Sequence, residues 1–211
     1  MPRRSVPARA CLWAAAFVVC STLVQAAPRP GGPVGAGPRF AGYVTEPGDQ
    51  RPRFDFAALD GDGAPEVRAI AGAVAHLPPR VQLQAVNARV NRVPWRDDRE
   101  TYGVEDHWAT PQEFFRKGGD CEDYAIAKYA VLERLGWPPS RMWIVVMRET
   151  VISSVHAVLM VEHDGRLWTL DNLGERVFVH GQLDWYRPGY SLNRFGLWSH
   201  GGSIALAAYR R

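Results

Sequence analysis

Gly118-Gly119-Asp120-Cys121-Glu122-Asp123-Tyr124-Ala125-Ile126-Ala127-Lys128-Tyr129-Ala130-Val131-Leu132-Glu133 is the stretch around which the chain organises. The two glycines permit a sharp turn, and Asp120 stands where a helix N-cap belongs. Glu122 and Asp123 suit the turn that follows, because unpaired N–H groups at a helix start carry partial positive charge. From Tyr124 to Leu132 only Lys128 is charged, so the pattern predicts a helix apolar nearly all round, and therefore buried. Gly136 and Pro138-Pro139 stop it. Cys121 then lies in the first turn of a buried helix, where a thiol pKa falls and the thiolate becomes a usable nucleophile. A small core residue under a capped helix would occupy the same place, so other residues must decide.

The chain downstream supplies them. Met142 to Met147 is a continuous apolar run of strand type. Val155-His156-Ala157-Val158-Leu159-Met160-Val161 and Leu167-Trp168-Thr169-Leu170-Asp171-Asn172 flank Asp164-Gly165, a strong hairpin signal. A two-residue turn pairs 163 with 166 and, counting outward, sets Val158 opposite Asp171. His156 projects from the same face as Val158, which makes His156 and Asp171 diagonal neighbours. Ala157, Leu159, Val161, Trp168 and Leu170 fill the other face as a core surface. A turn with an odd number of residues would swap the faces. A thiol, an imidazole and a carboxylate to orient it are what nucleophilic catalysis needs. A buried His–Asp pair can be purely structural, but that leaves the cysteine unexplained.

Charge and cysteine usage narrow the class. Arg3, Arg4 and Arg9 precede an apolar stretch from Ala10 to Leu23, too short for a spanning helix, and Val24-Gln25-Ala26 is an acceptable cleavage site. Residues 1–26 therefore read as a secretory signal peptide, with an uncleaved anchor or a lipid on Cys20 as the alternatives. The chain has 25 Lys+Arg against 22 Asp+Glu; the signal holds three of the arginines and no acid, so the remainder is balanced. The basic balance belongs to the signal, and no nucleic-acid footprint remains. Cys11 and Cys20 leave with the signal, so an exported chain carries Cys121 alone and forms no internal disulfide. A lone exported thiol is a liability unless it works or is buried.

Residues 27–52 are dense in Pro and Gly and read as a disordered lead-in, with a single catalytic domain over 53–211. Asp60-Gly61-Asp62-Gly63 opens like a calcium loop, but its twelfth position is Ala71 where a bidentate Glu is needed, so it reads as a turn. Pro65 starts a helix through Val67, Ile70, Ala71 and Val74. After Pro78-Pro79 a second helix carries Val81, Ala85, Ala88 and Val90. Arg96 to Asp106 reads as a charged loop. Thr110 is an N-cap with Pro111 at the first helical position, and nearby Trp108 is either a core residue or a wall of the Cys121 cleft. Val177-Phe178-Val179 reads as a further strand, and Tyr186 to Asn193 with Gly196-Leu197-Trp198 as an aromatic, turn-rich tail across the sheet. Walker loop, dinucleotide fingerprint and zinc cluster are all missing from the sequence.

Four blocks, Trp108-Ala109-Thr110-Pro111, Gly119 to Tyr129, His156-Ala157-Val158-Leu159 and Leu170-Asp171-Asn172-Leu173, resemble the bacterial transglutaminase-like cysteine proteinase family, which includes the LapG-type periplasmic proteases. The resemblance runs from about Val86 to Trp198. It implies an α+β fold with a papain/transglutaminase-like core, in which the buried helix begun by the cysteine packs on an antiparallel sheet. It implies Cys121 as nucleophile, His156 as general base and acid, and Asp171 as its orienter. Further implications are a periplasmic, calcium-dependent endopeptidase, a large surface adhesin cut near its N-terminus at a di-alanine site to release biofilm cells, and restraint by an inner-membrane, LapD-like receptor of cyclic-di-GMP. Asp120, Glu122 and Asp123 are the metal ligands expected on that basis. Unpaired, these carboxylates would raise the thiol pKa and oppose the helix-end effect, and a hard cation would offset that repulsion. A capping box of Asp120 with Asp123 is the alternative. The oxyanion is expected to meet the Cys121 N–H and the Trp108 indole. A transglutaminase, a cell-wall peptide amidase and a binding module with a retired site remain as other readings of the same three residues.

Overall fold

Proline and capping side chains set where the helices begin. In the computed structural model, residues 37–38, 44–47, 54–61, 63–150, 154–181 and 186–201 are described, and the expected signal peptide lies outside them. Helix α1 (Pro65–Val74) and helix α2 (Pro79–Val90) each open on a proline, which has no N–H to leave unpaired. Helix α3 (Asp98–Thr101) is one turn capped by the Asp97 carboxylate, which accepts from the Arg99 N–H at 2.8 Å. Helix α4 (Pro111–Lys117) carries a reciprocal cap, with Thr110 Oγ1 accepting from Glu113 N–H and Glu113 Oε2 from Thr110 N–H. Helix α5 (Cys121–Arg134) is the expected central helix, buried at every residue from Glu122 to Leu132.

Among the described residues, seven antiparallel strands form one sheet: β1 (Val44–Pro47), β2 (Met142–Glu149), β3 (Val155–His163), β4 (Arg166–Leu170), β5 (Phe178–Val179), β6 (Tyr186–Asn193) and β7 (Gly196–Gly201), in the order β1-β7-β6-β2-β3-β4-β5. The β3–β4 turn is the two-residue turn expected. Asp164 at φ 51° and Gly165 at φ 67° take the left-handed backbone that such a turn requires. His163 pairs with Arg166 and Leu159 with Leu170, so the register predicted from the sequence holds.

Alternation along β3 then sorts the core. Ala157, Leu159 and Val161 face α5 and join Ile126, Tyr129, Leu132 and the α1–α2 apolar residues in the main core. Val158 and Met160 point the other way, into a smaller cluster with Trp143, Val145, Met147, Tyr186 and Trp198. Each fully buried Leu or Ile in such a core contributes about 1.5–3 kcal/mol. The architecture is α+β, and no helix among the described residues is long and apolar enough to cross a membrane.

Three regions differ from the sequence reading. Tyr186 to Trp198 is not a turn-rich tail: β6 lies between β2 and β7, deep in the sheet. Pro188 hid this, since proline argues against a central strand; it is accommodated where the β2–β6 register shifts between Val146 and Met147. Within the lead-in, Val44–Pro47 adds to the sheet edge as β1, through backbone pairing that needs no apolar period. The charged loop holds α3, with Asp98 buried.

Candidate active site

The loop that leads into Cys121 is fixed by close backbone approach on both sides of two glycines. Gly118 has φ 84°, and a Cβ there would lie 2.5 Å from the Pro94 carbonyl oxygen. A Cβ on Gly119 would lie 2.1 Å from Asp123 Oδ2. Only glycine lets the Asp123 carboxylate fold back and accept from the Asp120 N–H (3.2 Å) while its other oxygen accepts from the Ala109 N–H (2.7 Å). Gly119 also bridges Trp95, and its carbonyl accepts from the Arg96 N–H at 2.9 Å. The loop before Cys121 is thus tied to the segment that leaves α2.

Cys121 opens α5 and is half-buried. Its sulfur meets the backbone N–H of Ala157, the residue after His156, and its S–H donates to Glu122 Oε2 at 3.2 Å. Burial pushes the thiol well above its ordinary value; Glu122 and Asp120 push it further, and the Ala157 N–H pulls it back only in part. The expected depression by the helix mouth is therefore overruled among these carboxylates, through desolvation and like-charge repulsion.

His156 is buried, and its Nε2 lies 2.8 Å from Asp171 Oδ1. Asp171 Oδ1 also accepts from the Leu173 N–H (2.9 Å), and Oδ2 accepts from the Tyr186 hydroxyl (2.8 Å). Burial alone would raise the Asp171 carboxyl. The His156 hydrogen bond and charge, the Leu173 N–H and Tyr186 outweigh it and hold the group below the usual carboxylate range. His156 and Asp171 are brought together, as the hairpin register predicted, and Cys121 meets the same strand at the Ala157 N–H. Tyr186 was missed because its segment was read as a tail. Its signal is slight, since the residue comes 15 positions after Asp171 on a strand with a proline in it.

The acids beside Cys121 are more numerous than the sequence reading had them. One ligand oxygen each from Asp98, Asp106 and Glu122 lie within 4.8 Å of one another, as do those of Asp98, Asp120 and Asp123. Asp98 is 2% exposed, and one of its oxygens accepts from the His107 N–H. Asp98 Oδ1 and Asp120 Oδ1 are buried with no hydrogen-bond partner among the described residues. Burial raises the carboxyls of Asp98, Asp120 and Glu122, and lifts Asp123 to about 8. Two orphaned carboxylate oxygens in an all-oxygen nest fit a hard divalent cation. Asp98 and Asp106 had been read as loop charge; proximity in space, not spacing in sequence, assembles the nest. Asp123 spends both oxygens on backbone N–H groups, so it clamps the loop as well as facing the nest.

Trp108 does not take the expected oxyanion place. Its indole N–H donates to Asp106 Oδ1 at 3.1 Å, which commits that proton to the acid nest.

Comparison with known proteins gives the chain a family and a fold. The family model described as bacterial transglutaminase-like cysteine proteinase matches residues 72–193. Legionella pneumophila LapG superposes with a TM-score of 0.57 at 29% identity, covering 64% of this chain and 76% of that one. A calcium-bound form of the same protein gives 0.57 and 29%, over 66% and 81% of the two chains, and an EGTA-treated form 0.57 and 29%, over 67% and 81%. No curated protein matches.

Proposed function

This chain belongs to the bacterial transglutaminase-like cysteine proteinase family and is a cysteine protease with a LapG-like fold, and we propose that it is a periplasmic, calcium-dependent endopeptidase working through Cys121, His156 and Asp171. The observation that carries the reading is the 2.8 Å contact between His156 Nε2 and Asp171 Oδ1, on a hairpin whose Ala157 N–H meets the Cys121 sulfur.

With Nε2 turned to Asp171, Nδ1 is the ring nitrogen left to exchange a proton with the thiol. Cys121 Sγ attacks the scissile carbonyl carbon, and the C=O pair moves onto oxygen. The Cys121 backbone N–H, which as the first residue of α5 has no acceptor within the helix, donates to that oxyanion in the field of the helix end. The intermediate collapses to a thioester as His156 gives its proton to the leaving amine. His156 then takes a proton from water, whose oxygen attacks the thioester and frees Cys121. Asp171, held by Leu173 and Tyr186, keeps the imidazole in one tautomer throughout.

Asp98, Asp106, Asp120 and Glu122 would hold the calcium, with Asp123 bracing the loop. When bound, the ion neutralises the carboxylates that oppose thiol ionisation. The calcium-bound and EGTA-treated forms of the Legionella protein support calcium as the ion. The substrate is a protein. By resemblance it is the N-terminal region of a large surface adhesin, cut at a di-alanine bond so that biofilm cells are released, with a LapD-like cyclic-di-GMP receptor in the inner membrane as the restraint. The arginine-led apolar N-terminus supports export.

The test incubates the protein with the N-terminal segment of such an adhesin, in calcium or in excess chelator. Cleavage at Ala–Ala in calcium alone, and none by Cys121→Ala, is the expected result. Equal cleavage in chelator would dismiss the metal, and cleavage by Cys121→Ala would dismiss the mechanism.

A further inference from the structure

One face of α2 carries amides that reach the segment following Asp171. Asn91 Nδ2 donates to the Asp171 carbonyl (2.8 Å) and to the Gly174 carbonyl (2.9 Å). Asn87 Nδ2 donates to Gly174 (2.9 Å) and Glu175 (3.0 Å). Gln84 continues the row, donating to the Glu175 carbonyl and accepting from the Val177 N–H at 3.1 Å. The three residues stand three and four apart, which puts them on one stripe of the helix. Both asparagine nitrogens face carbonyl oxygens, which only accept, so the orientation of each amide is fixed.

Asp171 lies one residue beyond the last residue of β4, where the sheet ladder no longer holds its backbone. The Asn87 and Asn91 side chains carry a cost: each Oδ1 is buried without a partner among the described residues. A buried unsatisfied acceptor costs about 1–3 kcal/mol, so a residue kept only to fill this space would be better apolar.

We propose that Asn87 and Asn91 are positioning residues for hydrolysis: they hold the backbone from Asp171 to Glu175 so that the Asp171 carboxylate stays aimed at His156. This rests on the triad reading above. Asparagine suits the task because one NH₂ bonds two carbonyls at once. Aspartate there would set carboxylate oxygens against carbonyl oxygens and drive the segment away.

The experiment is a mutant cycle in the calcium-loaded full chain, read as kcat and KM on a peptide with an internal Ala–Ala bond. The rate of Cys121 alkylation by iodoacetamide, followed on its own peptide by mass spectrometry, adds a readout that needs no substrate. Asp171→Ala is expected to lower kcat roughly 10³-fold or more. Asn91→Leu is expected to lower it roughly 10- to 100-fold, the range for partners that orient a working group, with KM little changed. Adding Asn91→Leu to Asp171→Ala should lose nothing more. An unchanged Asn91→Leu, or losses that multiply in the double variant, would overturn the inference. Where leucine does not fit, Asn91→Ala and Asn87→Ala answer the same question. If Asp171→Ala itself kept full kcat and an unchanged alkylation rate, the triad reading would fall, and this inference with it, whatever Asn91→Leu did.

Discussion

The Cys121 thiol donates to the Glu122 carboxylate across 3.2 Å, so the nucleophile and an acid of the cation nest share a proton. On the proposed calcium reading, that contact would hold the thiol protonated until a cation neutralises the carboxylate from its other side. Calcium should therefore speed alkylation of Cys121 by iodoacetamide, roughly tenfold or more, equivalent to about 1.4 kcal/mol of thiol ionisation. Glu122→Gln should react faster than wild type in chelator, yet no longer respond to calcium. Identical wild-type rates in calcium and chelator would separate the nest from the nucleophile.

Asp98 and Asp106 enter the nest from outside the Gly119-Asp120-Cys121-Glu122-Asp123 block, and their removal should act on calcium before it acts on fold. At a hundredfold excess over Kd, calcium should stabilise the wild-type protein by about 2.7 kcal/mol. Asp98→Asn and Asp106→Asn should lose most of the accompanying rise in melting temperature. Melting curves in calcium and in EGTA make the check, and undiminished calcium responses in both variants would remove these residues from the site.

Tyr186 gives its hydroxyl proton to Asp171 Oδ2 from the middle of the sheet. Tyr186→Phe leaves that buried oxygen short of a donor, at a cost of about 1–3 kcal/mol. The expected outcome is a roughly tenfold loss of kcat, with KM unchanged. A variant with wild-type kcat would show that His156 and Leu173 suffice to hold Asp171.

Lys128 is buried in α5, with its ammonium 5.8 Å from the Tyr124 ring centroid. Burial pushes its amine down from 10.5 to about 7, against the pull of Asp171. The unfolded chain therefore binds more protons between about pH 7 and 10.5, and stability from this group rises with pH across that window. Below pH 7 both states are protonated and the whole penalty remains. Lys128→Met should thus raise the melting temperature, most at pH 6 and least near pH 10. A variant that melts lower at both values would mean that the charge supports the fold.

How much of this was legible in the sequence depends on the range over which each signal acts. Helix starts at Pro65, Pro79, Thr110 and Asp120 are local chemistry, and each stands where the sequence placed it. The His156–Asp171 contact was legible because Asp164-Gly165 fixes a register, and a register fixes faces. Residues whose roles arise from approach in space left no such mark. Asp98 and Asp106 looked like surface charge, and Asn87 and Asn91 like polar positions on a helix face. Tyr186 was masked by Pro188, which a shift in strand register accommodates. Trp108 shows the reverse error: nearness in sequence suggested an oxyanion donor, but its one indole proton goes to Asp106.

The central claim is that Cys121 forms a thioester which water, not an amine, resolves. The most direct measurement mixes the calcium-loaded protein with a peptide containing one internal Ala–Ala bond and an excess of a primary amine, then weighs the products by mass spectrometry. The account predicts an N-terminal fragment ending in a free carboxylate, and no fragment with Cys121→Ala. A fragment joined to the amine through a new amide, or the same cleavage by Cys121→Ala, would contradict it.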